Sequence, residues 1–210
     1  MVAKRGPRLK AVRRLGTPLP GLTRKVPENK PYPPGQHGPT GGGSGRGRRK
    51  QSEYGRQLME KQKLRLNYGV SERQLRNYMA RAVAQGGKTG EALLALLERR
   101  LDNVVFRLGL APTIPAARQL VAHGHVRVDG RRVDRPAMLV DVGQRIAVSD
   151  RGKNMPEVQS SVEHGPQVRL PGYLAIDPAD KFGGRVISLP SREDVPVVVD
   201  DAAVVEFYAR

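Results

Sequence analysis

The side chains with the most chemical potential gather around one dipeptide. His123-Gly124-His125, Arg127 and Arg131-Arg132 flank Asp129-Gly130. Asp-Gly favours a two-residue type I′ turn, in which both central residues need positive φ. The spacing therefore predicts a hairpin. In its first strand Val126 and Val128 alternate with His125 and Arg127, and the return strand runs from Arg131 to Asp134. This register sets Arg127 opposite Arg132, and His125 opposite Asp134, on one face. Like charges directly opposed cost a bare hairpin about 0.2 to 1 kcal/mol, so an anion is expected over them. The competing reading is a solvated face whose long side chains splay apart.

Other chemistries fit these residues poorly. A His123 and His125 metal pair would straddle a helix end and a strand start, with neither Cys nor a carboxylate cluster to complete it. No Ser or Lys stands beside them in a nucleophile motif. No catalytic residue, metal, cofactor or small-molecule substrate is expected. Phosphate or ribose contacts suit the histidines better. The run Thr40 to Lys50 has the Gly42 to Gly47 spacing of a phosphate loop, yet Arg48 and Arg49 stand where Lys and Ser or Thr are required, and no apolar strand precedes it. Arg46, Arg48, Arg49 and Lys50 suit flexible contact with an RNA backbone. Tyr32-Pro33-Pro34-Gly35-Gln36-His37-Gly38 reads as a type II turn. Tyr32 offers a stacking face there, and Gln36 and His37 offer groups that reach base edges or 2′-hydroxyls. A turn without a binding role is the alternative.

Charge narrows the partner. The 210 residues carry 37 Lys and Arg against 20 Asp and Glu, a net +17, so a polyanion is expected. Residues 1 to 65 hold 17 basic and 3 acidic side chains, whereas 151 to 210 hold 7 and 9. Lys4 to Lys50, rich in Gly and Pro, is expected to have little regular structure and to order against its partner. Arg5, Arg8, Lys10, Arg13 and Arg14 are its first candidate contacts. Cysteine is absent, which excludes disulfides and thiol chemistry. No apolar run suits a membrane span or a signal peptide, and a cytoplasmic address is expected.

Several elements must position these groups. Ser52 is expected to begin a helix carrying the candidate RNA contacts Tyr54, Arg56, Lys61, Lys63 and Arg65 and ending near Tyr68-Gly69. Ser71 caps a second, ended by Gly86-Gly87. Thr89 is expected to cap a third that merges into one amphipathic helix. Leu93, Leu94, Leu97, Leu101, Val104, Val105 and Leu108 form its buried stripe, and Arg99, Arg100, Asp102 and Arg107 take the remaining positions, with Arg99 and Arg107 as candidate RNA contacts. Asp102 and Asn103 are expected to bridge to neighbouring elements rather than act as acid or base. A further helix buries Ile114, Ala117, Leu120 and Val121 and leaves Arg118, Gln119 and His123 on or near its outer side until Gly124; these three and Thr113 are candidate RNA contacts. Arg145 to Val148, Tyr173 to Ile176 and Arg185 to Leu189 suit short strands. Arg151 to Gly165 suits a solvated helix. Ala202 to Tyr208 fits either a strand or a helix returning to the earlier bundle.

The motifs Tyr32 to Gly38, Ser52-Glu53-Tyr54-Gly55, Glu60-Lys61-Gln62-Lys63, Thr89-Gly90-Glu91, Leu97 to Arg107, Ala117 to Val121, His123-Gly124-His125 and Arg192-Glu193-Asp194 together resemble the family of bacterial-type small-subunit ribosomal protein number four. The resemblance covers nearly the full length. It implies an α+β fold, in which a helical N-terminal domain with a basic extended arm carries an inserted α+β RNA-binding module of two helices on a small antiparallel sheet. The expected divisions are 1–50 for the arm, 51–96 for the helical domain completed by 193–210, and 97–192 for the α+β domain, with the RNA-binding module at about 97–150.

The function implied is that of a structural constituent of the small ribosomal subunit. Its partner would be the 5′ domain of small-subunit rRNA, bound as a primary assembly protein, with ribosomal protein five of the same subunit and messenger RNA at the entry channel as further partners. The chain departs from many relatives in having Ile114-Pro115 rather than Arg after Thr113, extra length at Thr40 to Gly45, and none of the cysteines by which some relatives bind zinc. The same RNA-binding module occurs in RNA-modifying enzymes, and a free-standing RNA chaperone is a third class. About 60 residues after the hairpin sheet leave little room for a catalytic domain. A ribosome in the cytoplasm or in an organelle is the expected location.

Overall fold

The computed structural model describes residues 7–28, 30, 32–35 and 52–209. Arg5, Gln36, His37, Arg46, Arg48, Arg49 and Lys50 lie outside them.

The first described element corrects the expectation for the arm. Arg8–Leu15 is helix α1, closed by Gly16 in the left-handed region at φ 63°. Val12, Leu15, Leu19 and Leu22 are buried, so residues 7–28 hold an apolar face against the protein. Gly21 clamps that face from both sides. Its N–H donates to the Asn67 Oδ1 at 3.0 Å, and its carbonyl accepts from the Ile114 N–H at 2.8 Å.

The helical body comprises α2 (Glu53–Asn67), α3 (Glu72–Gln85) and α4 (Thr89–Glu98). Ser52 caps α2 by accepting from the Gly55 N–H. Ser71 and Gln74 form a reciprocal capping box on α3, which satisfies two otherwise orphaned donors. Thr89 is the first helical residue of α4 rather than its cap; Lys88 holds the cap position without a side-chain hydrogen bond.

A single long helix through Leu108 is also overturned. After Glu98 the chain breaks at Arg99-Arg100, and Arg100 is extended at φ −65°, ψ 136°; helix α5 (Leu101–Arg107) restarts beyond it. The break is stabilised by strand-like pairing of Arg100 with Leu139. The Val140 N–H donates to the Arg99 carbonyl at 2.8 Å, and the Leu101 N–H donates to Met138 at 2.8 Å. All seven apolar residues of the expected stripe are still buried, because both short helices turn the same side to one core.

Helix α6 (Ile114–Ala122) leads into a sheet of β1 (Val126–Val128), β2 (Arg131–Val133), β3 (Arg145–Val148), β4 (Leu174–Asp177) and β5 (Asp180–Val186). The strand order is β2-β1-β3-β5-β4, and the strand pairs are antiparallel. Val126, Val128, Ile146 and Val148 turn inward. Between β3 and β4 the single helix expected over Arg151 to Gly165 is two, α7 (Asp150–Lys153) and α8 (Pro156–His164), the latter starting at Pro156. Asp201–Tyr208 is helix α9, packed on α2 and α4, so the helical alternative for the last segment is the one observed. Helices and one small antiparallel sheet share a continuous core, an α+β architecture.

Candidate nucleic-acid interface

The hairpin forms as its sequence dictates. Asp129 at φ 48° and Gly130 at φ 78° make the tight turn. The strain at Asp129 is offset by its carboxylate, which accepts from the Arg145 N–H at 2.8 Å and from Gln144 Nε2 at 3.1 Å and so ties the turn to β3. Arg127 stands opposite Arg132 across β1 and β2, and opposite Ala147 across β1 and β3. Both arginines are exposed and form no ion pair among the described residues. The Arg132 guanidinium lies against Gly124, where any Cβ would collide with it. That position is just past the C-terminus of α6, where helix carbonyls favour a cation. The His123 and His125 rings flank the same glycine with centroids 6.4 Å apart. Gln119, His123 and Arg131 are exposed and His125 is half-buried. Beside Arg127 a shallow cavity of about 200 Å³ is edged by Arg145, Lys153 and Asp180. Sequence reading missed it, since only strand pairing places Ala147 as its floor.

One of the expected contacts, Arg107, is internal. Arg107, 2% exposed, directs Nε to Glu98 Oε2 at 3.0 Å and donates to the Asp194 carbonyl, so it is withdrawn from any surface. Glu98 also accepts from the Tyr68 hydroxyl at 2.5 Å, the Asn103 amide at 2.7 Å and the Tyr173 hydroxyl at 2.9 Å. Burial, with Glu98 alongside, pushes both tyrosine hydroxyls well above their ordinary pKa, so they remain donors. Burial opposes the charge on Arg107, but the Glu98 carboxylate more than restores it and raises its pKa. Asp102 binds Arg100 and Arg118, while Asn103 reaches the Glu98 carbonyl at 3.0 Å. Both residues bridge neighbouring elements, as their central position implies. Glu98 was overlooked because nothing in its helical spacing marks a buried carboxylate.

The remaining candidates divide by partner. Arg8, Lys10 and Arg14 are exposed on α1. Arg13 donates to the Tyr32 carbonyl at 3.0 Å and lies 5.0 Å from that ring's centroid, so one Tyr32 face is occupied. Tyr54 is exposed beside Phe207. Arg56 joins Glu53 and Asp200, whose hydrogen bonds raise its pKa. Lys61, 6% exposed, is held by Glu72 at 3.1 Å and lies over the Phe207 ring, which corrects its expected role as a surface contact. Lys63 pairs with Glu60 at 2.6 Å, Arg65 with Glu72 at 3.7 Å and Arg99 with Asp141. Arg118 spans Asp102 and the Gly69 carbonyl. Thr113, almost fully buried, caps α6 by accepting from the Ala116 N–H. Among the described residues no group of histidines and carboxylates could hold a metal ion, and no described helix is long and apolar enough to cross a membrane.

An exposed arginine face, free of ion pairs among the described residues, thus stands on the hairpin that follows α6 and Gly124. Residues 3–98 fit the ribosomal protein S4/S9 N-terminal domain, and residues 99–146 fit the S4 domain. The chain belongs to the ribosomal protein S4 family. Small ribosomal subunit protein uS4 of Synechococcus sp. (strain JA-3-3Ab) is 52% identical over 206 residues, covering 98% of this chain and 97% of that protein. The uS4 protein of Thermosynechococcus vestitus is 50% identical over 210 residues, 100% of this chain and 99% of its own length. The uS4B protein of Nitrosomonas europaea is 50% identical over 205 residues, 98% and 97% respectively. The two family segments meet at Glu98 and Arg99, where α4 breaks. The S4 segment holds α5, α6 and the paired arginines of the hairpin.

Proposed function

We propose that this member of the S4 family is a non-enzymatic constituent of the small ribosomal subunit and binds rRNA through its S4 domain. Its full-length relatives bear the name of small ribosomal subunit proteins. The observation that carries the reading is the Arg127 and Arg132 pair, opposed across the hairpin and without an acidic partner among the described residues. Such a face is stabilised by a polyanion, and phosphate contacts orient a protein without reading base sequence. The finer reading is that the 5′ domain of small-subunit rRNA is the target, bound early in assembly. Arg127, Arg131, Arg132, His123, His125 and Gln119 would contact it, with Arg8, Lys10 and Arg14 from α1. Contacts to ribosomal protein five and to messenger RNA at the entry channel, with an effect on accuracy, complete the proposal.

Filter binding of the purified chain to a 5′-domain transcript tests it. If about 6 to 10 phosphates are engaged, affinity falls roughly a thousandfold or more between 50 and 200 mM salt, by analogy with DNA. A flat salt response, or failure to travel with small subunits on a sucrose gradient, overturns the reading. Appearance of a modified nucleoside in the transcript favours the enzymatic alternative.

A further inference from the structure

Cations on or beside α2 and α4 have a carboxylate three residues away: Arg56 has Glu53, Lys63 has Glu60 and Lys88 has Glu91. Helix α3, like α1, departs from this pattern. After Glu72, which is engaged by Lys61 and Tyr208, it carries no acid, yet Arg73, Arg76 and Arg81 are exposed and form no ion pair among the described residues. At 3.6 residues per turn Arg76 and Arg81 project about 140° apart, and Arg73 and Arg81 stand about 12 Å apart along the axis. Between Arg76 and Arg81 runs a low ridge of exposed Asn77, Ala80 and Ala84, with Arg73 in line with it at its N-terminal end. Its opposite face, Leu75, Tyr78, Met79 and Ala82, is buried.

We propose that this face of α3 is a second RNA-docking surface, which lies in the shallow minor groove of a double-helical RNA segment. A-form RNA presents a wide, shallow minor groove lined by 2′-hydroxyls. A ridge of alanines approaches it closely, Asn77 supplies hydrogen bonds to ribose, and arginines on either side reach the phosphates of the two strands. The charge complementarity and the low relief together favour duplex RNA over a single strand, which would need exposed aromatic rings to stack its bases. This deepens the proposed rRNA binding by naming the RNA form and the residues.

The test uses the full chain with two probes, the 5′-domain transcript and a plain 20-base-pair RNA duplex. Replacing Arg73, Arg76 and Arg81 together by Ala lowers affinity for both at least tenfold and reduces the salt slope by about two to three. Ala80→Arg adds a cation and yet weakens binding, because it lifts the helix off the groove; tighter binding would overturn close docking. The chain has no cysteine, so Gln85→Cys accepts a single tethered cleavage reagent, and cuts on both strands offset across one minor groove are expected. Wild-type affinity of the triple variant for both probes, or cuts scattered without offset, overturns the inference. Failure of the wild type to prefer the transcript over the plain duplex, with the triple variant still impaired, overturns the 5′-domain reading and leaves the α3 surface intact.

Discussion

Arg100 and Asp102, two residues apart, form a bidentate ion pair sealed from solvent, with Nε to Oδ1 at 3.0 Å and Nη2 to Oδ2 at 2.7 Å. An unbroken helix would point these side chains away from each other. The extended backbone at Arg100 turns them together, and Arg118 from α6 closes on the same carboxylate at 2.7 Å. Burial works against the Arg100 charge, and Asp102 overrides it, raising the guanidinium pKa. Asp102→Asn therefore removes the neutralising charge and one acceptor, leaving a buried cation with only the amide oxygen and the Tyr78 hydroxyl at 2.8 Å. Its expected cost is about 3 to 5 kcal/mol in urea unfolding. Arg118→Ala should cost less, because that side chain is 20% exposed. A loss under about 1 kcal/mol for Asp102→Asn would show that the network does not hold the helix break.

Arginines that look alike in sequence should separate by what their loss affects. Replacing Arg127 and Arg132 by Ala removes two opposed exposed cations, so RNA affinity falls and the salt slope drops by about two. The melting temperature stays level or rises as repulsion is relieved. Arg107→Ala strips Glu98 of its buried partner and should lower the melting temperature, leaving the salt slope of whatever protein remains folded unchanged. A stable Arg107→Ala protein with a reduced slope would return that residue to the interface.

Gly21 tests how the arm is held. A Cβ there would meet the Ile114 Cδ1 at 2.6 Å and the Asn67 carbonyl at 2.7 Å. Gly21→Ala must push the arm off the core, at an expected cost of about 1 to 3 kcal/mol. Hydrogen exchange of residues 10–22 should accelerate in the variant without RNA. Unchanged protection would mean that the arm is not anchored by the Asn67 and Ile114 contacts.

The hairpin was fully legible because its determinant is local: only positive φ at Asp129-Gly130 was needed to fix the register of Arg127 and Arg132. The helix ends were legible for the same reason, with Ser52, Ser71 and Gly124 acting within one turn. What stayed hidden was tertiary. Arg107 and Lys61 read as surface cations because their partners, Glu98 and Glu72, lie on other helices. Leu19 and Leu22, isolated among prolines, show no periodicity, and only their contact with the helical body makes residues 7–28 part of the core. The break at Arg100 was masked because apolar residues continue at steps of three and four across it.

Asp200 should make the attachment of α9 dependent on pH. Its carboxylate accepts from the Ala203 N–H at 3.0 Å and binds Arg56. The first contact and then the second hold its pKa below the ordinary 3.8. The unfolded chain takes up this proton at higher pH than the folded one. The stabilisation is therefore fully present above the ordinary value and is lost as pH falls through the lowered one. Hydrogen exchange of the α9 amides should accelerate in that acidic window before the buried strands respond. Asn also caps helices, so Asp200→Asn should keep α9 docked near neutrality while shifting less with acid than the wild type. An acid profile identical in the two proteins would assign the loosening of α9 to another carboxylate, such as Glu72, whose pKa burial raises but Tyr208 and Lys61 lower on balance, and which is packed on that helix through the Tyr208 hydroxyl.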